Sequence, residues 1–191
     1  MKLFITRHGQ TEDNLNGITM GQKDSPLTAT GIRQAKYKAS LLKRKHLYIA
    51  RIYSSDIGRC MQTAAILSEE LGVEEVVFTE GLREIHFGVY EGLPYSAIPE
   101  RKGGYMHVAF PGGESNETMS RRVIDAINRI YADNKLSNVL IVTHSGPLAA
   151  ILASYHNESL ATTLANKVDN KSVIELSIER PLGYPLLSKA I

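Results

Sequence analysis

Two histidines, two arginines and one glutamate in this chain are of the types that phosphate chemistry requires. Guanidinium groups bind phosphate oxygens through paired, charge-assisted hydrogen bonds. A neutral imidazole can attack phosphorus, and a carboxylic acid can protonate the departing oxygen. A second, cationic imidazole would stabilise the charge that develops on the equatorial oxygens. The residues that could fill these roles are Arg7, His8, Arg59, Glu84 and His144.

Five short apolar runs rich in β-branched residues predict the strands that would position these side chains. Arg7 and His8 follow the first run, His144 follows the fourth run directly, and the other candidates lie within a few residues of a run's end. Ligands of open α/β sheets bind beyond the carboxyl ends of the strands, so we expect the candidates to converge on one crevice. The runs cover residues 2–6, 51–54, 76–79, 139–143 and 172–178.

Segments with helical periodicity lie between the runs. Four helices are predicted, of which the third covers residues 115–134 and the fourth begins at Pro147. Asp56 would cap the second helix, which carries Arg59. Alternating strands and helices predict an α/β fold, a three-layer sandwich with helices on both faces of a mainly parallel, doubly wound sheet with an antiparallel edge strand. The apolar faces of the first two helices are Ile32, Ala35, Ala39 and Leu42, and Cys60, Ala64, Leu67 and Leu71.

Composition limits the class of protein. A length of 191 residues suits one domain over residues 1–191. The 22 Lys and Arg residues against 20 Asp and Glu residues give a net charge of +2, which is too small to indicate a nucleic-acid-binding protein. One cysteine, Cys60, allows no internal disulfide, and no apolar run approaches the length of a membrane span. We therefore expect a cytoplasmic protein with no membrane and no nucleic-acid partner. The oligomeric state is left open.

The order of the motifs resembles the histidine phosphatase superfamily, which includes the cofactor-dependent phosphoglycerate mutases. The resemblance extends from Met1 to about Leu152. The first block is Arg7-His8-Gly9-Gln10-Thr11 with Asn14. Further blocks are Asp24-Ser25-Pro26-Leu27-Thr28, Tyr53-Ser54-Ser55-Asp56 with Arg59, Leu82-Arg83-Glu84, Pro111-Gly112-Gly113-Glu114-Ser115 and Val142-Thr143-His144-Ser145-Gly146.

The resemblance implies a role for each matching residue. His8 would be the nucleophile that forms a transient phosphohistidine, and Glu84 would donate a proton and then activate water. The family needs no metal and the phosphatases need no cofactor, and this sequence has no metal-ligand signature. The implied phosphate-binding residues are Arg7, Arg59 and His144, with Thr11, Asn14 and Ser145.

Two departures from the family pattern bear on the reaction. Tyr90 stands where the family usually has tryptophan, and residues 91–111 form a shorter segment than in the mutases. A short lid, which we expect over residues 93–113, would admit water and favour hydrolysis. We therefore predict a metal-independent phosphomonoesterase acting on a small phosphorylated metabolite. The alternatives are a phosphoglycerate mutase with the same nucleophile, or a non-catalytic module that binds a phosphorylated ligand.

Two further charged residues have expected structural roles. Arg83 is expected to be an ion-pair partner rather than a third phosphate ligand. Glu114 either favours the N-terminus of the third helix electrostatically or shapes the pocket, and the sequence leaves both readings open.

Overall fold

The computed structural model describes residues 1–188, and their central feature is a five-stranded sheet with the order β3-β2-β4-β1-β5. The first four strands in that order are parallel, and β5 pairs antiparallel with β1 at the edge. The predicted strands are confirmed to within one residue at each end. They are β1 (Lys2–Arg7), β2 (Arg51–Ser55), β3 (Val76–Thr79), β4 (Val139–Thr143) and β5 (Val173–Ser177).

Helices cover both faces of the sheet, as predicted. One face carries α2 (Ala29–Lys43) and α3 (Gly58–Leu71), which pack on Phe4 of β1, Ile52 of β2, and Leu140 and Val142 of β4. The opposite face carries α4 (Asn116–Asp133), α5 (Ser145–His156) and α6 (Leu160–Ala165). Successive residues of a strand point to opposite faces, so each central strand contributes to both cores. A short helix, α1 (Glu12–Asn16), follows β1.

Three details of the predicted helices need correction. Helix α5 begins at Ser145 rather than at Pro147, which is its third residue. The missing N–H of the proline is still harmless, because backbone N–H groups in the first turn of a helix have no acceptor within the helix. Ile32 lies on the solvent side of α2 and is 41% exposed. Asp56 does not cap α3, whose N-cap is Ile57, because its carboxylate accepts hydrogen bonds from Arg83 instead (Nε–Oδ1 2.7 Å).

The segment of residues 93–113 crosses the edge of the sheet without a regular helix or strand, apart from one 3₁₀ turn over Tyr95–Ala97. Its second half is anchored where Tyr105 stacks on Phe110 with 3.9 Å between ring centroids. Both the backbone N–H and the amide of Asn116 at the start of α4 donate to the carbonyl of Tyr105. Within residues 1–188, the model contains no helix with the length and hydrophobicity needed to traverse a bilayer.

Candidate active site

His8 is the first residue after β1, and the strand geometry fixes its backbone. Its N–H donates to the carbonyl of Thr143, the last residue of β4, at 2.9 Å. The imidazole is 1% exposed; Nδ1 donates to the carbonyl of Gly9 at 2.7 Å, and Nε2 accepts from Nε of Arg59 at 3.3 Å. These two partners favour the neutral tautomer with its proton on Nδ1, which leaves the lone pair on Nε2.

Burial lowers the pKa of His8 well below its usual value of 6.5, and the charges of Arg59 and Arg7 lower it further. A buried cation lacks hydration, and nearby positive charges repel it, so both causes favour the neutral ring. His8 is therefore held as a base whose free lone pair is on Nε2.

Arg59 is the second residue of α3 and is 1% exposed. Its NH1 and NH2 groups donate to the carbonyls of Lys23 and Gly21, each at 2.6 Å, so the guanidinium is fixed before any ligand arrives. The backbone N–H of Arg59 donates to Oδ1 of Asp24 at 2.9 Å. Asp24 thus satisfies one of the free N–H groups of this helix, the function that the sequence assigned to Asp56.

Arg7 ends β1 and brings a second guanidinium to the site. Its Nε is buried and has no hydrogen-bond partner within the described residues. An unpaired buried donor carries a large desolvation cost, so this group is suited to an incoming acceptor such as a phosphate oxygen.

Two side chains from outside the site hold the carbonyls at the end of β1. The ammonium group of Lys38 in α2 is fully buried and donates to the carbonyl of Arg7. Nδ2 of Asn170 donates to the carbonyl of His8 at 2.8 Å. Burial lowers the pKa of Lys38 to about 7. These bonds fix the backbone that carries both the guanidinium and the imidazole.

Glu84 faces the N-terminus of α5. Its Oε1 accepts from the backbone N–H groups of Ile85 at 3.0 Å and Gly146 at 3.1 Å. A Cβ atom at position 146 would overlap Oε1, so only glycine lets the helix approach the carboxylate this closely. The contact directs Glu84 into the same crevice as His8.

His144 is the N-cap of α5 and lies behind His8, with 5.3 Å between the ring centroids. Its Nε2 is 2.9 Å from Oγ of Ser55. Burial lowers its pKa well below 6.5, and Arg59 and His8 add to the effect. The second imidazole is therefore neutral in the unliganded site, and the cationic form expected during phosphoryl transfer requires a bound ligand. A bound phosphate dianion would supply the opposite charge that raises this pKa.

One cavity of about 130 Å³ lies at this end of the sheet. His144, predicted to bind the phosphoryl group, is fully buried behind the cavity and does not line it. The cavity is lined by Arg7, His8, Arg59, Glu84 and Ser145 of the predicted set. The sequence did not identify three polar residues that complete the wall, because each lies in an irregular segment or next to a motif rather than within one. They are Tyr95, Asn116 and Lys167.

Thr11 and Asn14, predicted to bind phosphate, do not line this cavity. They form the capping box of α1: Oγ1 of Thr11 accepts from the N–H of Asn14 and Oδ1 of Asn14 accepts from the N–H of Thr11, both at 3.2 Å. The side-chain oxygens therefore satisfy the backbone of the short helix that follows His8. Arg83, expected as an ion-pair partner, pairs with Asp56.

Glu114 accepts from the backbone N–H of His86 at 3.0 Å and pairs with Arg122. It thereby ties the loop after Glu84 to α4. No group of three or more His, Cys, Asp or Glu side chains within residues 1–188 is placed to hold a metal ion.

Comparison with known proteins connects this geometry to a family. The family model described as histidine phosphatase superfamily (branch 1) matches residues 3–183. A broad-specificity phosphatase of Saccharomyces cerevisiae is 31% identical over 80% of this chain and 69% of its own length. A protein of Escherichia coli named as a probable phosphoglycerate mutase is 32% identical over 81% and 74%.

Among solved structures, the mycobacterial glucosyl-3-phosphoglycerate phosphatase in complex with VO3 superposes with a TM-score of 0.80. It is 30% identical and the match covers 92% of this chain and 90% of that one. The predicted family and the predicted fold are both confirmed. The chain belongs to the histidine phosphatase superfamily.

Proposed function

We propose that this protein hydrolyses the phosphomonoester of a small phosphorylated metabolite through a phosphohistidine on His8, without a metal ion. The observation that carries the proposal is the state of His8: a neutral imidazole with Nδ1 bound to Gly9 and Nε2 facing Arg59. Phosphatase names among the relatives support the hydrolytic class.

In the first step, Nε2 of His8 attacks phosphorus while the bond from phosphorus to the ester oxygen breaks. Arg7, Arg59 and the backbone N–H of Ser145 at the start of α5 bind the equatorial oxygens, where negative charge develops. His144, behind His8, accepts the proton of a substrate that binds as the phosphate monoanion, which leaves a phosphate dianion beside an imidazolium. Glu84 in its acid form gives its proton to the leaving oxygen, and the products are phosphohistidine and an alcohol.

In the second step, water replaces the alcohol. The Glu84 carboxylate takes a proton from the water, the hydroxide oxygen attacks phosphorus, and the N–P bond breaks to return neutral His8 and release inorganic phosphate. Glu84 ends in its acid form, ready for the next turnover. Two guanidinium groups and a helix N-terminus supply the positive charge that a metal ion provides in other phosphatases.

A phosphoglycerate mutase remains the second candidate, because one relative carries that name. A mutase must keep water from the phosphohistidine until the sugar acid returns. Of residues 93–113, only Tyr95 lines the cavity, so this segment gives the site little with which to exclude water. We therefore assign the hydrolase. The free, buried Cys60 fits a reducing compartment, and we place the enzyme in the cytoplasm.

The test runs both reactions on one preparation. Phosphate release from a panel of phosphorylated metabolites is compared with 2- to 3-phosphoglycerate interconversion primed with bisphosphoglycerate. We expect phosphate release to be faster, and His8→Ala to abolish it while the control His46→Ala does not. Faster interconversion with a phosphoenzyme that resists water would establish the mutase instead.

A further inference from the structure

Glu84, the proton donor of the proposed reaction, lies in a backbone segment that no strand or α-helix holds in place. Strand β3 ends at Thr79, a single 3₁₀ turn covers Glu80–Leu82, and residues 83–87 have no regular secondary structure. The polar backbone groups of such a segment need partners from elsewhere in the molecule. The position of the Glu84 carboxylate therefore depends on the residues that supply those partners.

Arg122, in the second turn of α4, supplies several of these partners at once. NH2 of its guanidinium donates to the carbonyl of Glu84 at 3.4 Å. NH1 lies 3.1 Å from each of three carbonyl oxygens that come earlier in the segment, those of Glu80, Gly81 and Arg83. Because one planar group contacts all of these carbonyls, its position sets the path of the chain into Glu84.

A close approach between the 3₁₀ turn and α4 brings the carbonyls within reach of Arg122. Gly81 faces the helix, and a Cβ atom at this position would lie 2.7 Å from Cβ of Ala126. A side chain there would push the turn away from α4, because packed atoms cannot overlap. The glycine thus allows the guanidinium to contact the backbone directly.

Glu114 orients the guanidinium of Arg122 and adds a second hold on the segment. Its Oε1 accepts from Nε at 3.0 Å and its Oε2 accepts from NH2 at 2.9 Å, a paired and charge-assisted contact. Oε2 also accepts from the backbone N–H of His86 at 3.0 Å, and the N–H of Glu114 donates to the carbonyl of His86 at 2.8 Å. The pair therefore holds the chain on both sides of Glu84.

We propose that Arg122, paired with Glu114, is a positioning residue for Glu84. Arg122 does not line the cavity, so it acts through the backbone that carries the carboxylate. A proton donor must lie within hydrogen-bond distance of the leaving oxygen, and this backbone sets that distance. Lysine could not replace Arg122, because an ammonium is a compact point charge without the planar fork that holds the carboxylate and the carbonyls together. The inference rests on the proposed function, since it uses Glu84 as the general acid.

The test uses the leaving group to report how well Glu84 is placed. Arg122→Met should lower kcat/KM for glycerol 3-phosphate about tenfold to a hundredfold, because a displaced acid protonates a poor leaving group less effectively. The value for p-nitrophenyl phosphate should stay within about threefold, since p-nitrophenolate leaves without a proton. The matched control is Arg121→Met, which removes an exposed neighbour on the same helix and should leave both values within about twofold.

A loss of stability alone cannot produce this result. The fraction of folded protein affects both substrates equally, so the ratio of their kcat/KM values does not depend on it. If Arg122→Met does not fold, Arg122→Lys keeps the charge and the aliphatic stem, and its ratio should still fall about fivefold. The double variant Glu84→Gln/Arg122→Met should be no slower on glycerol 3-phosphate than Glu84→Gln alone, because the arginine acts through the glutamate.

The proposal and the function on which it rests fail in different ways. An unchanged ratio in the Arg122 variants, whether both values fall together or neither falls, would overturn the positioning role, and so would losses that multiply in the double variant. The proposed function is overturned instead if Glu84→Gln itself slows both substrates equally, or if wild-type protein releases no phosphate from p-nitrophenyl phosphate.

Discussion

Nε of Arg59 lies 3.3 Å from Nε2 of His8, so the guanidinium that is placed to bind phosphate also holds the lone pair of the nucleophile. The carbonyls of Lys23 and Gly21 accept from the other two nitrogens of Arg59 and so orient its Nε–H towards His8. A phosphate oxygen entering the cavity competes for the same N–H. In the proposed mechanism, ligand binding therefore frees the Nε2 lone pair as phosphorus arrives.

We expect His8 and His144 to remain neutral as the pH falls below 6.5. Burial and the two guanidinium groups lower both pKa values well below that of an exposed histidine. The unfolded chain binds protons at these residues near pH 6.5 and the folded chain does not, so the free energy of unfolding should fall as the pH drops through that range. Imidazole nitrogen shifts measured by NMR check the first claim. A protonated His8 signal at pH 6.5 in the unliganded protein would contradict it.

Lys38 should give the free energy of unfolding a pH dependence on the alkaline side. Its pKa is lowered to about 7 by burial, whereas in the unfolded chain the side chain keeps its proton until about pH 10. The unfolded state therefore binds more protons between these values, and stability should rise with pH over that window.

Lys38→Met should remove this slope, and Lys36→Met, an exposed lysine on the same helix, should not. Denaturant titrations at pH 7, 8.5 and 10 measure the difference. The variant should also have a reduced kcat, because the carbonyl of Arg7 loses the hydrogen bond that fixes the end of β1. Parallel stability curves for wild type and Lys38→Met would show that Lys38 is not held with a lowered pKa.

The sequence was sufficient for the sheet and for bringing Arg7, His8, Arg59 and Glu84 to one cavity. The central strands β1, β2 and β4 are short and mostly buried, and β4 is buried at all five positions, so the apolar pattern of the sequence marks them clearly. Arg7, His8 and His144 lie at strand ends, where the topology of an α/β sheet brings them together regardless of the loops.

Contacts between residues distant in sequence account for the errors. Asp56 is next to α3 in the chain, yet its carboxylate pairs with Arg83, and Asp24, 35 residues before Arg59, supplies the cap. The buried position of Lys38 and the place of Lys167 on the cavity wall depend on how α2 and the α6–β5 loop pack. In the sequence, neither lysine differs from an ordinary exposed lysine in a helix or a loop, so neither the burial of Lys38 nor the cavity position of Lys167 could be predicted.

Glu84→Gln should be most harmful where the leaving group is a poor one. The amide can still accept the N–H bonds of Ile85 and Gly146 but cannot donate a proton as an acid. General acid catalysis is worth about 10²–10⁴-fold, so alkyl phosphates should lose that much in kcat. p-Nitrophenyl phosphate, whose phenolate leaves unaided, should lose far less. Equal losses on both substrates would mean that Glu84 positions the phosphate instead, and the exposed Glu80→Gln serves as control.

Removal of divalent metal ions should leave the activity unchanged. The guanidinium groups of Arg7 and Arg59 and the N-terminus of α5 supply the positive charge at the phosphate. Protein dialysed against EDTA should match untreated protein in phosphate release. If the activity disappears and returns only with an added divalent ion, the charge must come from a metal site and the mechanism fails.

Covalent labelling tests the central claim most directly. The protein is mixed with a phosphoryl-labelled substrate, quenched at alkaline pH because phosphohistidine is acid-labile, and the label is located by peptide mass spectrometry. We predict a label on Nε2 of His8, absent in His8→Ala and longer-lived in Glu84→Gln, which cannot activate water. A label on His144, or turnover without any label on His8, would contradict the account.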